Sequence, residues 1–437
     1  MTGEVGGIQD VRLATRIEAL RFRSLEYVSQ KLGPFHVLLG PNASGKSTFL
    51  DVVAFLGDVV RQGIEVAVHG DPRLGIPLRA PDAKHLTWMR RGGQFELALE
   101  MAIPEEKRDR IKNGGAELCR YELAIDVSGP LRIVAETLWL HPTDTVTLAI
   151  RQRSLFPGPP KAPDSIVHPL RKKAPRGWKK VVSRGQEPEQ VTFVSETSRW
   201  SNPFRLGADK AALASLPEDE KMFPVATWFR KVLSEGVQRI ALSSEHMRRP
   251  SPPGKSRAFL SDGSNLPQIV HVLEKDHRPR FDEWVGHVRE ALPDIESITT
   301  REREEDRHRY LVLKYKSGLE APSWLVSDGT LRLLALTLLA YLPDLSGLFL
   351  IEVPENGIHP RAVETVFQSL SSVYGAQVLL ATHSPVVASM ANLDQILCFA
   401  RTPEGATDVI PGREHPRLKE WRGSLDLGTL LAAGVLA

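Results

Sequence analysis

The chain has 437 residues, of which 42% are hydrophobic and 25% charged, and its formal net charge is +3. These values are typical of a globular protein with two or three domains, and the charge is too small to indicate a nucleic-acid partner by itself. The two cysteines, Cys119 and Cys398, lie far apart in apolar runs, and no apolar run is long enough to cross a bilayer. We therefore expect buried thiols in a cytoplasmic protein, and exclude a disulfide framework, a cysteine zinc site and a membrane partner.

The first predicted elements surround a glycine-rich turn. Residue patterns predict strands at 16–22 and 35–39, and the apolar spacing after Thr48 predicts a helix to about Gln62. Between the second strand and this helix, the sequence fits the pattern G-x-x-x-x-G-K-[ST] of a loop that binds phosphate groups. The residues of this phosphate loop are Gly40, Pro41, Asn42, Ala43, Ser44, Gly45, Lys46, Ser47 and Thr48.

Each residue type in the phosphate loop has a physical reason. Glycines allow backbone amides to converge on an anion, and the positive N-terminal end of the following helix faces the same anion. The Lys46 side chain adds a charge that reaches the outer phosphates, and the Ser47 hydroxyl is placed to bind Mg²⁺. We therefore predict that the chain binds a nucleoside triphosphate.

The middle of the chain differs in character from its flanks. Alternation predicts strands at 95–101 and 119–125. Residues 151–184 then form a basic loop that contains Trp178 and the single acidic residue Asp164. Such a loop is typical of a contact with a nucleic-acid backbone and equally of a solvated insertion, and both interpretations stay open. Its basic residues are Arg151, Arg153, Lys161, Arg171, Lys172, Lys173, Arg176, Lys179, Lys180 and Arg184.

Beyond the basic loop, periodicity predicts further helices and a hairpin. Helical patterns occur at 223–233 and 266–292, and the pattern at 310–315 is that of a strand. The charge-mixed cluster at 301–309 is typical of a solvent-exposed hairpin tip. No internal repeat is visible.

Two later strands end in polar residues. An apolar run at 348–351 is followed by Glu352, and a second run at 377–382 is followed by His383. A phosphate loop needs an acidic residue that holds the metal shell, and residues at the carboxyl ends of parallel strands face the ligand crevice. We therefore expect Glu352 and His383 to converge on the triphosphate held by Lys46, with Ser47 and Glu352 as the metal-binding residues.

A third polar segment precedes an apolar helical run at 331–339. It consists of Ser327, Asp328, Gly329 and Thr330. Taken alone, these residues predict only a capped helix start, since serine and aspartate favour helix N-termini.

Together, these segments resemble the ABC-type ATPases, in the AAA-family branch that includes SMC, RecF and OLD-like proteins. The order is similar: phosphate loop, long insertion, Ser327–Thr330 in place of the signature motif, acidic strand and switch histidine. The variant signature S-D-G-T and the segments 354–360 and 382–385 look like a bacterial subgroup of stand-alone ATPases that frequently belong to anti-phage defence operons. The resemblance covers residues 15–105 and 235–400.

The resemblance implies an α/β fold of the P-loop NTPase class. The expected architecture is an ABC-type ATPase head, in which a mixed sheet is flanked by helices, with an inserted β-rich and irregular lobe. The expected division places the first part of the head at 1–128, the inserted lobe at 129–234, the second part of the head at 235–410 and a tail at 411–437.

The resemblance also implies a mechanism in which two heads dimerise head to tail around two ATP molecules with Mg²⁺. The phosphate loop of one copy would hold the triphosphate, and Ser327–Thr330 of the other copy would cap its γ-phosphate. Residues 356–359 fall where the family's D-loop crosses the dimer axis, and Gln94 is the candidate Q-loop residue. The candidate catalytic residues are Lys46, Glu352, Glu355 and His383.

One departure from the family pattern concerns catalysis. The family places two acidic residues in succession at the end of the strand, and here the pair is Glu352-Val353. Valine can neither accept a proton nor orient a water molecule. We therefore expect slow hydrolysis of ATP, with the alternative that Glu355 substitutes if the turn at Pro354 lets it reach the site.

Other functions agree less well with the sequence. Only about fifty residues follow His383, too few for a metal-dependent nuclease domain, and they contain no acidic cluster. We therefore expect a nuclease or other effector to be a separate partner. The long insertion and the S-D-G-T variant argue against an ABC transporter subunit, and a small-molecule kinase has no use for such a signature. Two functions remain open: a regulatory or sensor ATPase of a DNA-related or anti-phage defence complex, and a protein-regulating ATP switch without DNA binding.

Overall fold

The computed structural model describes residues 13–112, 115–143, 161–168, 174–185, 187–254, 258–419 and 427–432. Its strands are β1 Ala14–Phe22, β2 Leu25–Lys31, β3 Phe35–Leu39, β4 Gln94–Ala102, β5 Leu118–Asp126, β6 Arg132–His141, β7 Lys179–Arg184, β8 Gln190–Val194, β9 Ser201–Arg205, β10 Val237–Ile240, β11 Ile295–Glu302, β12 Arg309–Tyr315, β13 Glu320–Pro322, β14 Gly347–Glu352, β15 Ala376–Thr382, β16 Ile396–Arg401 and β17 Thr407–Pro411. Its α-helices are α1 Lys46–Gln62, α2 Ile64–His69, α3 Glu105–Arg108, α4 Pro224–Lys231, α5 Ser244–Arg248, α6 Leu266–Asp276, α7 Arg278–Ala291, α8 Asp328–Leu338, α9 Pro360–Ser371, α10 Pro385–Met390, α11 Pro416–Lys419 and α12 Leu427–Ala432.

A six-stranded sheet carries the phosphate loop. Its strand order is β10-β14-β15-β3-β16-β17, and every neighbouring pair is parallel except β16 with β17. Glu352 is in register with Ala381, and Thr382 with Leu39. The last residues of β14, β15 and β3 therefore lie side by side at the edge formed by the carboxyl ends of the strands. The predicted site residues follow them there. This mixed sheet flanked by helices confirms the predicted fold class.

A second sheet, of eight antiparallel strands, has the order β2-β1-β4-β5-β6-β7-β8-β9. β5 and β6 pair from Leu118 with His141 to Asp126 with Arg132, so the predicted boundary between residues 128 and 129 falls inside a hairpin of this sheet. β6 to β9 thus continue the sheet that begins with β1 and β2. The division of the chain at residues 128, 234 and 410 stays a prediction.

Helix α1 lies between the two sheets. Its Phe55 belongs to one apolar cluster with Leu38 of the six-stranded sheet and Phe95 of the eight-stranded sheet. The ring centroid of Phe55 lies 5.8 Å from that of Phe95 and 5.9 Å from that of Phe22, separations at which tilted aromatic rings attract one another. Because α1 begins at Lys46, this packing fixes the end of the helix that closes the phosphate loop.

The other face of the six-stranded sheet is covered by helices α6 to α9 and by a three-stranded sheet, β11-β12-β13. The helical pattern at 266–292 forms two helices, because α6 ends at Asp276 and α7 begins at Arg278 with Pro279 in its first turn. The charged cluster at 301–309 is the tip of the β11–β12 hairpin, as predicted.

The basic loop contributes to the fold where it is described. Arg184 is completely buried beside Glu136, and the Lys179 ammonium donates a hydrogen bond to the Glu196 carbonyl oxygen at 2.7 Å. Trp178 is also buried. Arg184 and Trp178 are therefore buried within the fold, and the half-buried Lys179 is held by a backbone carbonyl. Five other members lie outside the described residues: Arg151, Arg153, Arg171, Lys172 and Lys173.

Both cysteines are free thiols buried in the two cores, as predicted. Burial raises the pKa of Cys119 well above its ordinary value and raises the pKa of Cys398 to about 12, so neither thiol is reactive near neutral pH. Across the described ranges, we find no helix with the length and apolar character needed to span a membrane.

Candidate functional site

The phosphate loop packs closely against β16 and β17 of the same chain, and this close packing explains its glycines. Gly45 has a φ of 102°, and a Cβ atom there would lie 2.1 Å from the Thr407 hydroxyl oxygen. A Cβ atom at Gly40 would lie 2.2 Å from the Phe399 carbonyl oxygen. Both positions exclude a side chain, because real Cβ contacts do not come this close. β16 and β17 thus pack directly against the backbone of the phosphate loop at Gly40 and Gly45.

Lys46 is the first residue of α1, and its side chain folds back onto the backbone of the phosphate loop. Its ammonium group donates hydrogen bonds to the Gly40 carbonyl at 2.7 Å and the Pro41 carbonyl at 2.8 Å. Burial lowers the pKa of Lys46, while the nearby carboxylates of Glu352 and Glu355 oppose that shift. Both carboxylates therefore act electrostatically on the lysine, as expected for one site.

Glu352, at the end of β14, joins the phosphate loop to an arginine. The Ser47 hydroxyl donates a hydrogen bond to Glu352 Oε2, and Arg239 Nη2 donates to Glu352 Oε1 at 2.5 Å. The predicted pair of Ser47 and Glu352 is thus in direct contact. Arg239, at the end of β10, is a site residue that the sequence analysis did not identify.

The contacts of Ser47 and Glu352 also suit a magnesium ion. A serine hydroxyl and a carboxylate are the hard oxygen ligands that Mg²⁺ prefers, and Mg²⁺ usually completes its shell with water and substrate phosphates. Within the described ranges, no group of three or more histidine, cysteine, aspartate or glutamate side chains could hold a metal ion. The hydroxyl of Ser47 and the carboxylate of Glu352 therefore fit two ligands of a magnesium ion.

A strained turn follows Glu352. Val353 has a φ of 48°, which a β-branched residue rarely adopts, and its amide donates a hydrogen bond to the Ala381 carbonyl at 2.8 Å. The turn carries Glu355 back to the end of β15, where the Thr382 hydroxyl donates to Glu355 Oε1 at 2.5 Å. Glu355 Oε2 is buried and has no hydrogen-bond partner among the described residues. The turn at Pro354 thus lets Glu355 reach the site.

His383 and Gln94 differ in their surroundings. His383 is exposed and directly follows Thr382, between β15 and α10, so its backbone lies at the same edge as Glu352. The Gln94 side chain donates a hydrogen bond to Glu96 Oε1 at 3.0 Å within β4 of the eight-stranded sheet. Its role as a Q-loop residue stays a prediction.

Residues 327–330, here called the signature segment because the resemblance puts them in place of the signature motif, lie at the start of α8. The Ser327 side chain accepts a hydrogen bond from the Thr330 amide at 3.2 Å and caps the helix. Asp328 pairs with Arg248 of α5 at 2.5 Å. Ser327 and Asp328 are exposed. Within this described part of the chain, no hydrogen bond or ion pair joins residues 327–330 to the phosphate loop.

Gly329 instead contacts the turn that follows Glu352. A Cβ atom at Gly329 would lie 2.3 Å from the Gly357 carbonyl oxygen, so only glycine allows this approach. The start of α8 therefore rests on residues 353–358, the same turn that delivers Glu355 to the sheet edge. The signature segment and the sheet edge are mechanically connected within one copy of the chain.

This arrangement defines the class of the protein. A glycine-rich loop between a strand and a helix, with a carboxylate at the end of a neighbouring parallel strand, is the site of a P-loop nucleoside triphosphatase. Residues 35–100 and 119–389 match the family described as "AAA domain, putative AbiEii toxin, Type IV TA system". The chain belongs to this family of AAA-type ATPases.

The solved structures to which the chain is similar include head domains of Smc proteins. The chain is 12% identical to an Smc head bound to the C-winged helix domain of ScpA, with a TM-score of 0.49 over 91% of this chain and 97% of that chain. An Smc head with an extended coiled coil, bound to the C-terminal domain of ScpA from Pyrococcus furiosus, is 12% identical, with a TM-score of 0.47 over 92% of this chain and 96% of that chain. The SMC head domain from Thermotoga maritima is 12% identical, with a TM-score of 0.42 over 91% of this chain and 98% of that chain. Likenesses this distant carry no inference about function. A comparison with curated proteins found no match.

The contact between Gly329 and Gly357 leads to a prediction about stability and motion. We expect Gly329→Ala to destabilise the protein by about 1–3 kcal/mol and to speed amide hydrogen exchange at residues 353–358, because the added Cβ must push this turn away. Hydrogen exchange followed by mass spectrometry measures the effect. Gly286→Ala in α7 is the matched control, since nothing lies within 4 Å of its Cβ position. Unchanged exchange at 353–358 in Gly329→Ala would contradict the contact.

Proposed function

We propose that the chain binds ATP with Mg²⁺ and uses the nucleotide to join two copies head to tail. The observation that carries this proposal is the separation of two half-sites on one chain. The phosphate loop, Glu352 and Glu355 share one sheet edge, while Ser327 and its neighbours are exposed at the start of α8. A second copy can bring the two half-sites together, and a twofold arrangement completes two such sites at once.

In this proposal, the protein's own groups bind the nucleotide phosphates. The amides of the phosphate loop and the Lys46 ammonium, which now bonds to loop carbonyls, would hold the inner and outer phosphates. Ser47 and Glu352 would hold Mg²⁺, which would supply charge neutralisation between the β- and γ-phosphates. The Ser327 hydroxyl and the N-terminal amides of α8 in the second copy would approach the γ-phosphate from outside.

We further propose that hydrolysis is slow. Val353 stands where the family places a carboxylate that orients water, and an alkyl side chain cannot act as a general base. Glu355 is the carboxylate that supports a residual rate, because Thr382 holds one of its oxygens and the other has no partner among the described residues. ATP then acts mainly as a clamp between two copies and is consumed slowly.

The proposed biological role is that of a regulatory or sensor component in a complex with a separate nuclease or effector. The family's description, which includes a toxin of a type IV system, supports a place in a defence system. A second candidate is a protein-regulating ATP switch without DNA binding. One observation favours it, since Trp178, Lys179 and Arg184 of the basic loop are engaged within the fold.

Dimerisation is tested with an ATP analogue that cannot be hydrolysed. With this analogue and Mg²⁺, size-exclusion chromatography with light scattering should give a dimer for the unaltered chain and a monomer without nucleotide. Lys46→Ala should lose both nucleotide binding and the dimer, because the loop loses its main cation. Ser327→Arg should bind nucleotide and stay monomeric, because a bulky cation blocks only the second half-site.

Mixing the two variants provides the control. A Lys46→Ala chain still offers an intact Ser327, and a Ser327→Arg chain still offers an intact Lys46, so the mixture can form one complete site. We expect a dimer from the mixture at higher protein concentration than the unaltered chain needs. Dimerisation of Ser327→Arg alone, as efficient as that of the unaltered chain, would refute the composite site.

Turnover is tested at Val353. We expect Val353→Glu to raise the steady-state rate of phosphate release by about tenfold or more, because it restores a general base beside Glu352. Val353→Gln is the matched control, since glutamine has the same length as glutamate but no carboxylate. It should leave the rate of phosphate release unchanged. If Val353→Glu also leaves the rate unchanged while Glu355→Gln abolishes it, Glu355 is already a sufficient base and the slow-hydrolysis proposal is wrong.

A further inference from the structure

Arg239 reaches the site from the strand farthest from the phosphate loop. β10 is the edge strand next to β14, and Arg239 is in register with Leu350. Val237 on one side and Leu350 on the other belong to the apolar cluster that contains α1. Because side chains alternate along a strand, Arg239 and Glu352 lie on the α1 face of the sheet, where the nucleotide-binding helix begins.

The contacts of Glu352 make Arg239 an immediate neighbour of the metal-binding residues. Glu352 accepts one hydrogen bond from Ser47 and one, at 2.5 Å, from Arg239. The Arg239 side chain is 42% exposed, so it is partly open to solvent. It also lines a cavity of about 380 Å³ together with Val353, Pro354 and Asn356. Arg239 and Glu352 thus both line this cavity at the sheet edge.

The charge balance of this corner favours an anionic ligand. Val353 supplies no carboxylate that could neutralise Arg239, and Glu352 is the acidic side chain that pairs with Arg239. If Glu352 held Mg²⁺, its carboxylate would share its charge with the metal and would bind Arg239 less strongly. An arginine fork binds phosphate oxygens as well as carboxylate oxygens. A phosphate bound next to that metal would then be the strongest acceptor beside Arg239.

We propose that Arg239 binds the terminal phosphate of ATP and thereby distinguishes ATP from ADP; this inference rests on the proposed function. Lys46 and the loop amides approach the phosphates from β3, and Arg239 approaches from β10, on the opposite side of β14 and β15. The terminal phosphate would extend farthest beyond the loop, on the side of the metal that would bridge it to the β-phosphate and near Glu352. Arg239 gives up its hydrogen bond to Glu352 and donates instead to this phosphate, which is bound by the same copy of the chain.

A simpler role makes a different prediction. If Arg239 only held Glu352 in position, its loss would weaken the Mg²⁺ complexes of ATP and ADP by the same factor, since both nucleotides use the metal. If Arg239 binds the terminal phosphate, its loss weakens ATP alone. The ratio of the two affinities therefore separates the roles, and it requires no turnover.

The experiment measures binding of ADP and of a non-hydrolysable ATP analogue by calorimetry, with Mg²⁺ and the full chain. Both are measured in the Ser327→Arg background, so that dimerisation does not contribute to the apparent affinity. We expect Arg239→Ala to weaken the ATP analogue about tenfold or more and ADP less than about twofold. Arg239→Lys keeps the charge without the fork, so we expect an intermediate loss. Arg278→Ala, which removes another exposed ion-paired arginine, is the matched control and should change neither affinity.

Each outcome decides the question. An equal loss for both nucleotides, or no loss for either, overturns the inference while nucleotide binding by the phosphate loop stands. Failure of the parent protein to bind either nucleotide overturns the proposed function and the inference with it. Thermal unfolding should be unchanged in Arg239→Ala, because an ion pair this exposed contributes little to stability. If Arg239→Ala does not fold, the affinity ratio of Arg239→Lys decides instead.

Discussion

The alignment of three parallel strand ends is the constraint on which the rest of the site depends. Because Glu352 is level with Ala381 and Thr382 with Leu39, the chain segments that leave these strands meet at one edge. The phosphate loop, the Val353 turn and His383 are all such segments. Any shift of β14 against β15 would separate Ser47 from Glu352 and Thr382 from Glu355. The packing of α1 between two sheets holds this register in place.

The turn at residues 353–358 connects that edge to the signature segment. Val353 is held in a left-handed conformation, Glu355 points back to Thr382, and Gly357 lies against Gly329. A displacement of the turn by a change at Glu352 or Glu355 would therefore also press on the start of α8. In a head-to-tail pair, this connection would link the nucleotide bound by one copy to the cap that the same copy offers to its partner.

The local parts of the fold and site could be predicted from sequence, and the parts that depend on strand order could not. The phosphate loop, β14 with Glu352 and β15 are short apolar runs with a polar end, so each was identifiable alone. Arg239 was not, because its role exists only once β10 pairs with β14, more than a hundred residues later. The contact of Glu355 depends on the φ of Val353, which no residue pattern specifies. The charge count of the basic loop overstated its surface, because Arg184 is buried beside the distant Glu136.

The central claim is that a second copy completes the nucleotide site, and crosslinking tests it most directly. Cys119 and Cys398 are buried, so cysteines introduced by Asn42→Cys in one chain and Leu325→Cys in another are the reactive thiols among exposed positions. With a short bis-maleimide, the mixed chains should give a crosslinked dimer when a non-hydrolysable ATP analogue and Mg²⁺ are present, and little without them. No crosslink with nucleotide, or equal crosslinking without it, would contradict the composite site.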